Sequence, residues 1–543
     1  MSDALDRINR QIMWDRLQAV VEEQGQTLTR AAFSPIVREC GDISAGIFDL
    51  GGLMLAQAVT GTPGHVNTMA ASVGHFIKHF PPASMQPGDI YMTNDPWMGS
   101  GHLNDFVLVR PCFLDGELIG YNSCTSHLID LGGRGVGPEG RDVHEEGLYI
   151  PLLKLVDQGE INETLIEIVR ANSRMPVQNE GDIYALIACA EVGEERLIAM
   201  MREFAIDSLD DLGRHILETS EHATRARISE LPDGNWDHEL KLDGYDFEIA
   251  LKARLTIDGD TLCVDYTGTS PASRFGINVP ITYAQAYTVF GLKCIIAPDI
   301  PNNAGALAPF SVTAPEGSIL NPLKPAPVSQ RHVIGQLLPD TVFGCLDQAI
   351  PGRVPAEGTG CLWSMIMHST IGSQSDGNAP AFMIEAVHNG GTGGRPSSDG
   401  LSATAYPSGV MGSQVELTES TGPLIIRRRE LRPDSAGDGE YRGGLGQILE
   451  VEHSAGAPFM LSSAVERATY PPRGRHGGRD GAAGELWLAS GAALPAKGEK
   501  EIPAGDRLII KTPGGGGYGD PAKRDMALRD ADRRDGLVTG DAG

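Results

Sequence analysis

The sequence lacks cysteine pairs, long apolar runs and enough basic residues to balance its acidic ones. Its 543 residues include eight cysteines, none in a CxxC pair, which is typical of reduced thiols rather than a disulfide framework. No run of about 18 apolar residues occurs, which argues against a membrane-spanning helix. The first residues, MSDALDRINRQIMWDR, lack the apolar segment of a secretory signal. These absences predict a soluble cytoplasmic protein without membrane association.

The deficit of basic residues argues against nucleic acid as a partner. Lys and Arg number 44 against 71 Asp and Glu, a formal net charge of −27 with neutral histidines. A surface this acidic repels phosphate backbones, and basic residues are dense only at Arg427–Arg429 and Arg473–Arg479. The length and the hydrophobic fraction of 41% indicate a globular protein of roughly three domains.

Hydrophobic periodicity predicts a mixed α/β (α+β), multi-domain architecture. Apolar residues recur at helical spacing in four stretches: 5–23, 66–80, 160–230 and 283–294. Within the third stretch, one long amphipathic run extends from Glu194 to Leu231. Segments rich in β-formers flank turn residues in three places: 41–60, 106–124 and 255–266. The Asp115-Gly116 pair in the second of these is the strongest hairpin signal.

Changes in this pattern predict three divisions of the chain. Pro232-Asp233-Gly234 ends the helical part, and short apolar pieces alternate with Gly and Pro in the last hundred residues. We expect an N-terminal α/β domain that carries the candidate metal site, followed by β-rich middle and C-terminal parts. The expected bounds are 1–235 for the first domain, 236–440 for a mixed middle domain and 441–543 for the C-terminal region.

The densest group of chemically useful side chains lies before and after the predicted hairpin. His102 and Asp105 follow a glycine-containing loop, and the returning strand of the hairpin would bring His127 beside them. Asp42, from the other predicted hairpin, could supply a second carboxylate. A divalent transition metal requires such nitrogen and oxygen ligands within about 2.0–2.2 Å of the ion. Two histidines and two carboxylates would suit Zn, Mn or Fe.

Other interpretations of these patterns stay open. A histidine near an aspartate in a glycine-rich loop is commonly only a loop hydrogen bond or an Asx-turn. The run Pro513–Gly519 looks like a phosphate-binding loop, but the Lys-Ser/Thr of a P-loop is missing, so we expect a structural role. The triplet Arg427–Arg429 could bind phosphate, a carboxylate or an acidic surface, or could be a solvated charge run.

Six stretches, in order along almost the whole chain, resemble the hydantoinase B family. That family includes the C-terminal half of ATP-dependent 5-oxoprolinases, caprolactamase B subunits and the large subunits of acetone and acetophenone carboxylases. The stretches are Arg38–Leu50 (RECGDISAGIFDL), Gly88–Asp105 (GDIYMTNDPWMGSGHLND), Glu145–Pro151 (EEGLYIP), Gly390–Arg395, Glu430–Gly446 (ELRPDSAGDGEYRGGLG) and Thr512–Pro521 (TPGGGGYGDP). Each stretch alone is a weak signal, and their order makes the resemblance specific.

The resemblance implies a metal site and catalytic roles for its ligands. The implied metal ligands are Asp42, His102, Asp105 and His127, and each position carries the expected residue type. His102, Asp105 and His127 would act through a water whose pKa the metal lowers. Each ligating histidine needs an acceptor that orients its ring. The candidates for that role are His65, Asp95, Glu145 and Glu146.

The resemblance also implies a partner and an activity. A hydantoinase A-like subunit would bind ATP and Mg, since this chain has no recognisable Walker A or kinase-type loop, and we expect two copies of each subunit. The implied reaction is ATP-dependent opening of a hydantoin, 5-oxoproline or lactam ring that the A subunit phosphorylates. Two alternatives remain: the large subunit of an ATP-dependent ketone carboxylase, and a non-catalytic scaffold for the A subunit.

Overall fold

The structure is a computed structural model that describes residues 2–59, 61–369 and 382–539. Its α-helices are α1 Ser2–Ala31, α2 Pro35–Arg38, α3 Pro63–His79, α4 Val143–Glu146, α5 Glu163–Asn172, α6 Pro176–Glu203, α7 Asp210–Ile228, α8 Ile281–Ile296, α9 Ala304–Leu307, α10 His332–Gly335, α11 Leu338–Ala349, α12 Val415–Thr421 and α13 Met526–Arg534. Short 3-10 helices lie at Pro82–Ser84 and Pro521–Lys523. None of the described helices combines the length and hydropathy needed to cross a bilayer.

The strands form four sheets. Their bounds are β1 Ile43–Phe48, β2 Met54–Gln57, β3 Ile90–Thr93, β4 Asp105–Leu114, β5 Glu117–His127, β6 Leu153–Asp157, β7 Glu160–Ile161, β8 Gly234–Leu242, β9 Ile249–Asp258, β10 Thr261–Asp265, β11 Phe310–Thr313, β12 Trp363–Ser369, β13 Met383–His388, β14 Leu424–Leu431, β15 Gln447–His453, β16 Phe459–Ala464, β17 Glu485–Leu488, β18 Ala493–Leu494, β19 Lys497–Ile502 and β20 Leu508–Lys511. The sheet orders are β2-β1-β5-β4-β3-β6-β7, β11-β10-β9-β8, β13-β12-β16-β19 and β14-β15-β20-β17-β18. The predicted mixed α/β, multi-domain fold is confirmed.

The seven-stranded sheet is antiparallel throughout and is covered by helices on both faces. Successive side chains of a strand point to opposite faces, and β4 shows this directly. Phe106 and Leu108 pack in a cluster with α1 and α6, whereas Val107 and Val109 pack with α3. The sheet therefore has apolar cores on both sides.

The β4–β5 hairpin turns where the sequence predicts it. Asp115 and Gly116 both have positive φ, 52° and 93°, as a tight two-residue hairpin turn requires. The pairing that follows from this turn places Asp105 opposite His127 at the open end of the hairpin. On the other side of β5, β1 pairs Ile43 with Ser126, so Asp42 lies next to the same end.

The expected helical run from Glu194 to Leu231 is two helices instead of one. α6 ends at Glu203 and α7 begins at Asp210. Ala205 has a φ of 53°, and the Ile206 amide bonds back to the Met201 carbonyl at 3.0 Å, which closes the first helix. Apolar periodicity continues through this turn because both helices bury their apolar faces against the same part of the molecule.

The three predicted domain bounds stay predictions. The turn before β8 coincides with the expected bound near residue 235. Strands on the two sides of residue 440 pair in two sheets, β12 with β16 and β14 with β15.

The glycine-rich run Pro513–Gly519 is structural. Its residues lie backbone-to-backbone against other glycine-containing segments: the amide of Gly515 donates to the Gly444 carbonyl at 2.9 Å, and that of Gly517 donates to the Arg479 carbonyl at 2.8 Å. An ideal Cβ on Gly515 would lie 1.9 Å from the Thr392 carbonyl oxygen, so side chains are excluded from this packing. A Cβ here would collide with backbone, which cannot move aside as a flexible side chain could.

We expect Gly515→Ala to lower the free energy of unfolding by more than about 3 kcal/mol, or to abolish soluble expression, because its Cβ would overlap a carbonyl oxygen. The control is Gly74→Ala in α3, where a Cβ meets no atom within 4 Å and helix propensity favours alanine by up to about 1 kcal/mol. Denaturant unfolding of both variants measures the difference. Equal stability of the two variants would contradict the packing role.

Candidate metal centre

The end of the β4–β5 hairpin brings together two histidines and an aspartate. Asp105 Oδ1 lies 2.8 Å from His102 Nε2 and 3.3 Å from His127 Nδ1. All three side chains are buried, and one ligand atom from each lies within 4.8 Å of the others. This arrangement follows from the hairpin register, which pairs Asp105 with His127, and from the loop before β4, which turns His102 back toward it.

The hydrogen bonds of His102 indicate which of its nitrogens is free to bind an ion. Its Nδ1 lies 2.9 Å from the Ser329 carbonyl oxygen, and since a carbonyl only accepts, Nδ1 must carry the proton. Nε2 therefore has the lone pair, and it faces Asp105 Oδ1 at 2.8 Å, where neither atom supplies a proton to the other. A buried imidazole that is held by a backbone carbonyl, with its other nitrogen facing a carboxylate oxygen, is an arrangement that suits a metal ligand. The residues present thus fit a metal ion.

Two more predicted residues reach the same cluster. His65, near the start of α3, places Nε2 3.0 Å from Asp105 Oδ2 and 3.5 Å from Asp42 Oδ1. Asp42 lines the same cavity as His102 and His127. Three of the four predicted ligands, Asp42, His102 and His127, therefore line one cavity, and Asp105 contacts both histidines beside it. His65 was expected to orient a histidine, and it instead contacts both carboxylates.

The other candidates for orienting the histidines have different roles. Glu146 Oε1 accepts hydrogen bonds from the amides of Val328 and Ser329, at 2.6 and 2.9 Å, and so holds the segment whose carbonyl fixes His102. Asp95 is bound by Lys324, at 2.8 Å, and Glu145 by Arg134, also at 2.8 Å. Lys324 and Arg134 bind these two carboxylates, and among the described contacts neither carboxylate touches a ligand histidine. The expectation that Asp95 and Glu145 orient ligand histidines is therefore corrected.

Residues that sequence reasoning missed complete the site. Arg331, only 3% exposed, donates to Asp105 Oδ2 through Nη2 and to the Ser100 carbonyl through Nε at 2.7 Å. Glu385 on β13 lies 3.4 Å from His127 Nε2, and His332 lines the cavity beside them. Glu385 could have been noticed as an acidic residue within an apolar strand. The sequence around Arg331 carries no comparable signal.

The charged groups of the site shift one another's pKa values. Burial alone would lower the pKa of His127, but its contacts with Asp105 and Glu385 outweigh burial and raise it to about 10. Burial would raise the pKa of Glu385, but His127 lowers it to about 2. Burial and the Arg331 charge lower the pKa of His102 to about 4 and of His332 to about 3. His102 and His332 are thus neutral imidazoles near pH 7, the form that binds metals.

The two carboxylates of the proposed ligand set are shifted in opposite directions. Burial would raise the pKa of Asp105, but His102, His65 and Arg331 hold it well below the usual range. Burial raises the pKa of Asp42, and the charges of its histidine neighbours only partly oppose that shift. Asp105 is therefore the fixed anionic centre of the cluster, and Asp42 is the carboxylate that gains most from a cation nearby.

The side chains of Asp42, His102 and His127 line a cavity of about 40 Å³. One water needs roughly 10–15 Å³ on this scale, so the space suits an ion and a few waters. Tyr283 and Tyr287 from α8 form another part of its wall. Arg331 lies over the Tyr283 ring, with its guanidinium carbon 4.2 Å from the ring centroid, and the guanidinium is thereby fixed at the cavity.

The sequence of the chain matches one family model and is similar to proteins of known name. The family model of hydantoinase B/oxoprolinase matches residues 6–521. The putative B subunit of a D-/L-hydantoinase from Pseudomonas sp. strain NS671 is 30% identical over 98% of this chain and 93% of its own length.

Two solved structures share the fold. The ATP-dependent caprolactamase of Pseudomonas jessenii superposes with a TM-score of 0.87 at 26% identity, covering 98% of this chain and 94% of that one. A nucleotide-free acetone carboxylase superposes with a TM-score of 0.85 at 20% identity, covering 98% and 78%. The second similarity shows the fold alone.

The buried Glu146 predicts a pH dependence of stability. Burial raises its pKa from 4.5 to about 7. Between these pH values the folded chain binds the proton that the unfolded chain has lost, so this carboxyl makes stability fall as the pH rises from about 4.5 to 7. Glu146→Gln keeps an acceptor for Val328 and Ser329 and removes the charge. We therefore expect the variant to gain stability relative to the parent over this window, by roughly 3 kcal/mol at pH 7.

Denaturant unfolding at several pH values measures this difference. The matched control is Glu145→Gln, one residue away, whose side chain is 40% exposed and paired with Arg134 on the surface. The control should leave the pH profile of the parent unchanged. If the free energy of unfolding depended on pH in the same way in the parent and in Glu146→Gln, the raised pKa of Glu146 would be contradicted.

Proposed function

The chain belongs to the hydantoinase B/oxoprolinase family, and on that premise we propose that it is the metal-bearing B subunit of an ATP-dependent cyclic amidohydrolase. The substrate class is a hydantoin, 5-oxoproline or a larger lactam. The observation that carries the proposal is the buried cluster of His102, Asp105 and His127, whose donor atoms converge beside a cavity. Burying this many charged and polar side chains together costs free energy even when they are paired, and a role in binding an ion would account for that cost.

His102, Asp105, His127 and Asp42 would hold the ion, which we propose to be Zn, Mn or Fe. A divalent ion bound there would supply Lewis acidity and lower the pKa of water. Asp105 accepts a hydrogen bond from the permanently charged Arg331, which keeps the carboxylate ionised, and it therefore anchors the set. The Ser329 carbonyl holds the His102 ring with its Nε2 lone pair toward the site.

Arg331 is proposed to orient the substrate. It is buried, its charge is permanent, and it faces the cavity from its stacked position on Tyr283. A guanidinium in this place can hold an anionic group, such as the phosphoryl group of an activated substrate, beside the cluster. The neutral His332 offers an Nε2 atom without a partner, which can accept or donate one hydrogen bond to the bound molecule.

The ATP chemistry is proposed to belong to a hydantoinase A-like partner that binds ATP and Mg. The relatives support this, since one is named as the B subunit of a hydantoinase and another is described as an ATP-dependent caprolactamase. We propose two copies of each subunit in the assembly. We also propose a cytoplasmic location, because all eight cysteines are free thiols and a reducing compartment would keep them so.

A ketone carboxylase is the second candidate, and the likeness in fold to acetone carboxylase is the observation that favours it. The same cavity would then receive a ketone enolate and phosphorylated bicarbonate. The non-catalytic scaffold is disfavoured by the contact of His102 Nε2 with Asp105 Oδ1, since two acceptor atoms face each other there and a cation would bind both. ATP turnover that requires both bicarbonate and a ketone would select the carboxylase over the hydrolase.

The test is an ATP-dependent ring-opening assay of the chain purified with its A-like partner, using hydantoin, 5-oxoproline and caprolactam. We expect His102→Ala to lower the turnover more than about 100-fold, because it removes the nitrogen presented to the ion. The control is His79→Ala, the same substitution at an exposed position of α3. If His102→Ala were as active as the His79→Ala control, the proposal would be contradicted.

A further inference from the structure

A second cavity lies apart from the candidate metal centre. Its volume is about 550 Å³, within the range of small-molecule sites. It is enclosed by the last turn of α8, by α11, by the turn after α11 and by the segment that follows Gly390. None of the described residues that line this cavity also lines the metal cavity.

The lining of the second cavity includes cationic side chains and hydrogen-bond donors. Arg353 and Arg395 both line it, and among the described residues neither forms an ion pair with a carboxylate, in a chain of net charge −27. Arg395 donates through Nε and Nη2 to the Asp399 carbonyl, at 3.1 and 2.7 Å, which fixes its guanidinium and leaves Nη1 available. Ser397 and Ser398 also line the cavity.

The lining also has an apolar part. Ile295, Phe343, Leu401 and Tyr406 line the cavity, and Leu401 is 50% exposed. A ligand that fills the cavity would cover this leucine. An apolar lining with a small number of polar groups is the usual composition of a ligand site.

Asp340 is the single acidic side chain among the described lining residues, and its charge is balanced within the protein. It is paired with Arg467 at 2.9 Å and accepts the Gly358 amide at 3.1 Å. Arg353 and Arg395 have no such counter-charge among the described contacts, so the cavity as a whole favours a negative ligand.

We propose that this cavity is a second ligand site, which binds a small organic carboxylate by its charged end at Arg353 and Arg395 and by its apolar body at Phe343, Leu401 and Tyr406. Arg353, whose guanidinium makes no hydrogen bond among the described contacts, can hold a carboxylate with two parallel hydrogen bonds, and Arg395 can add one through Nη1. The inference does not use the metal centre and stands independently of the proposed function.

Calorimetric titration of the chelator-treated full-length protein with hexanoate tests the site. We expect saturable one-to-one binding that Arg395→Gln and Arg353→Gln each weaken at least about tenfold, the effect of losing a charge-assisted hydrogen bond. Leu401→Ser should weaken binding severalfold. The controls are Arg10→Gln, an exposed arginine of α1 without an ion pair among the described contacts, and His102→Ala in the metal cavity; both should bind hexanoate as the parent does.

Two further probes define the ligand class. Hexan-1-ol keeps the apolar body without the charge, and inorganic phosphate keeps a charge without the body, so both should bind much more weakly than hexanoate. The proposal is overturned by absent binding in the parent, by unchanged affinity in the two arginine variants, or by loss in His102→Ala, which would place the ligand in the metal cavity. Phosphate binding as tight as hexanoate binding would also overturn it. Circular dichroism of each variant establishes that it is folded.

Discussion

The pairing of Asp105 with His127 across β4 and β5 is the constraint on which the candidate site depends. Side chains alternate between the faces of a strand, so a slip of one residue would exchange the two apolar clusters that β4 contacts and turn Asp105 away from the histidines. The turn at Asp115-Gly116 fixes the register at one end, and β1 fixes it from the neighbouring side. The apolar cores thus fix the register of the strands, and the strands in turn hold the polar side chains of the cluster together.

Charge explains why this cluster suits a cation. Asp42, Asp105 and Glu385 carry three negative charges when ionised, and Arg331 supplies one permanent positive charge close to them. Without an ion, His127 provides a second positive charge, which agrees with the rise of its pKa to about 10. If His127 and the neighbouring His65, His102 and His332 were all neutral when an ion is bound, the remaining charge of −2 would match a divalent cation. Buried charges of one sign are costly unless paired, so such a site favours the ion strongly.

The sequence predicted the parts of this site that depend on local signals. The Asp-Gly turn located the hairpin, and the hairpin located Asp105 and His127, while family resemblance supported Asp42. Arg331 and Ser329 carry no sequence signal, and Glu385, although noticeable as an acidic residue in an apolar strand, could not be connected to the site. All three lie more than 200 residues further along the chain, and only tertiary packing brings them to the site. The α6–α7 break was missed for a related reason: apolar spacing is continuous across a turn that a single left-handed Ala205 produces.

The most direct test of the account is the coordination of the ion itself. X-ray absorption and anomalous diffraction of the purified complex should find one divalent ion per chain, with about two imidazole nitrogens and carboxylate oxygens near 2.0–2.2 Å at His102, Asp105, His127 and Asp42. The signal should disappear in His102→Ala. A fully active protein without this ion, or an ion bound only elsewhere, would contradict the account.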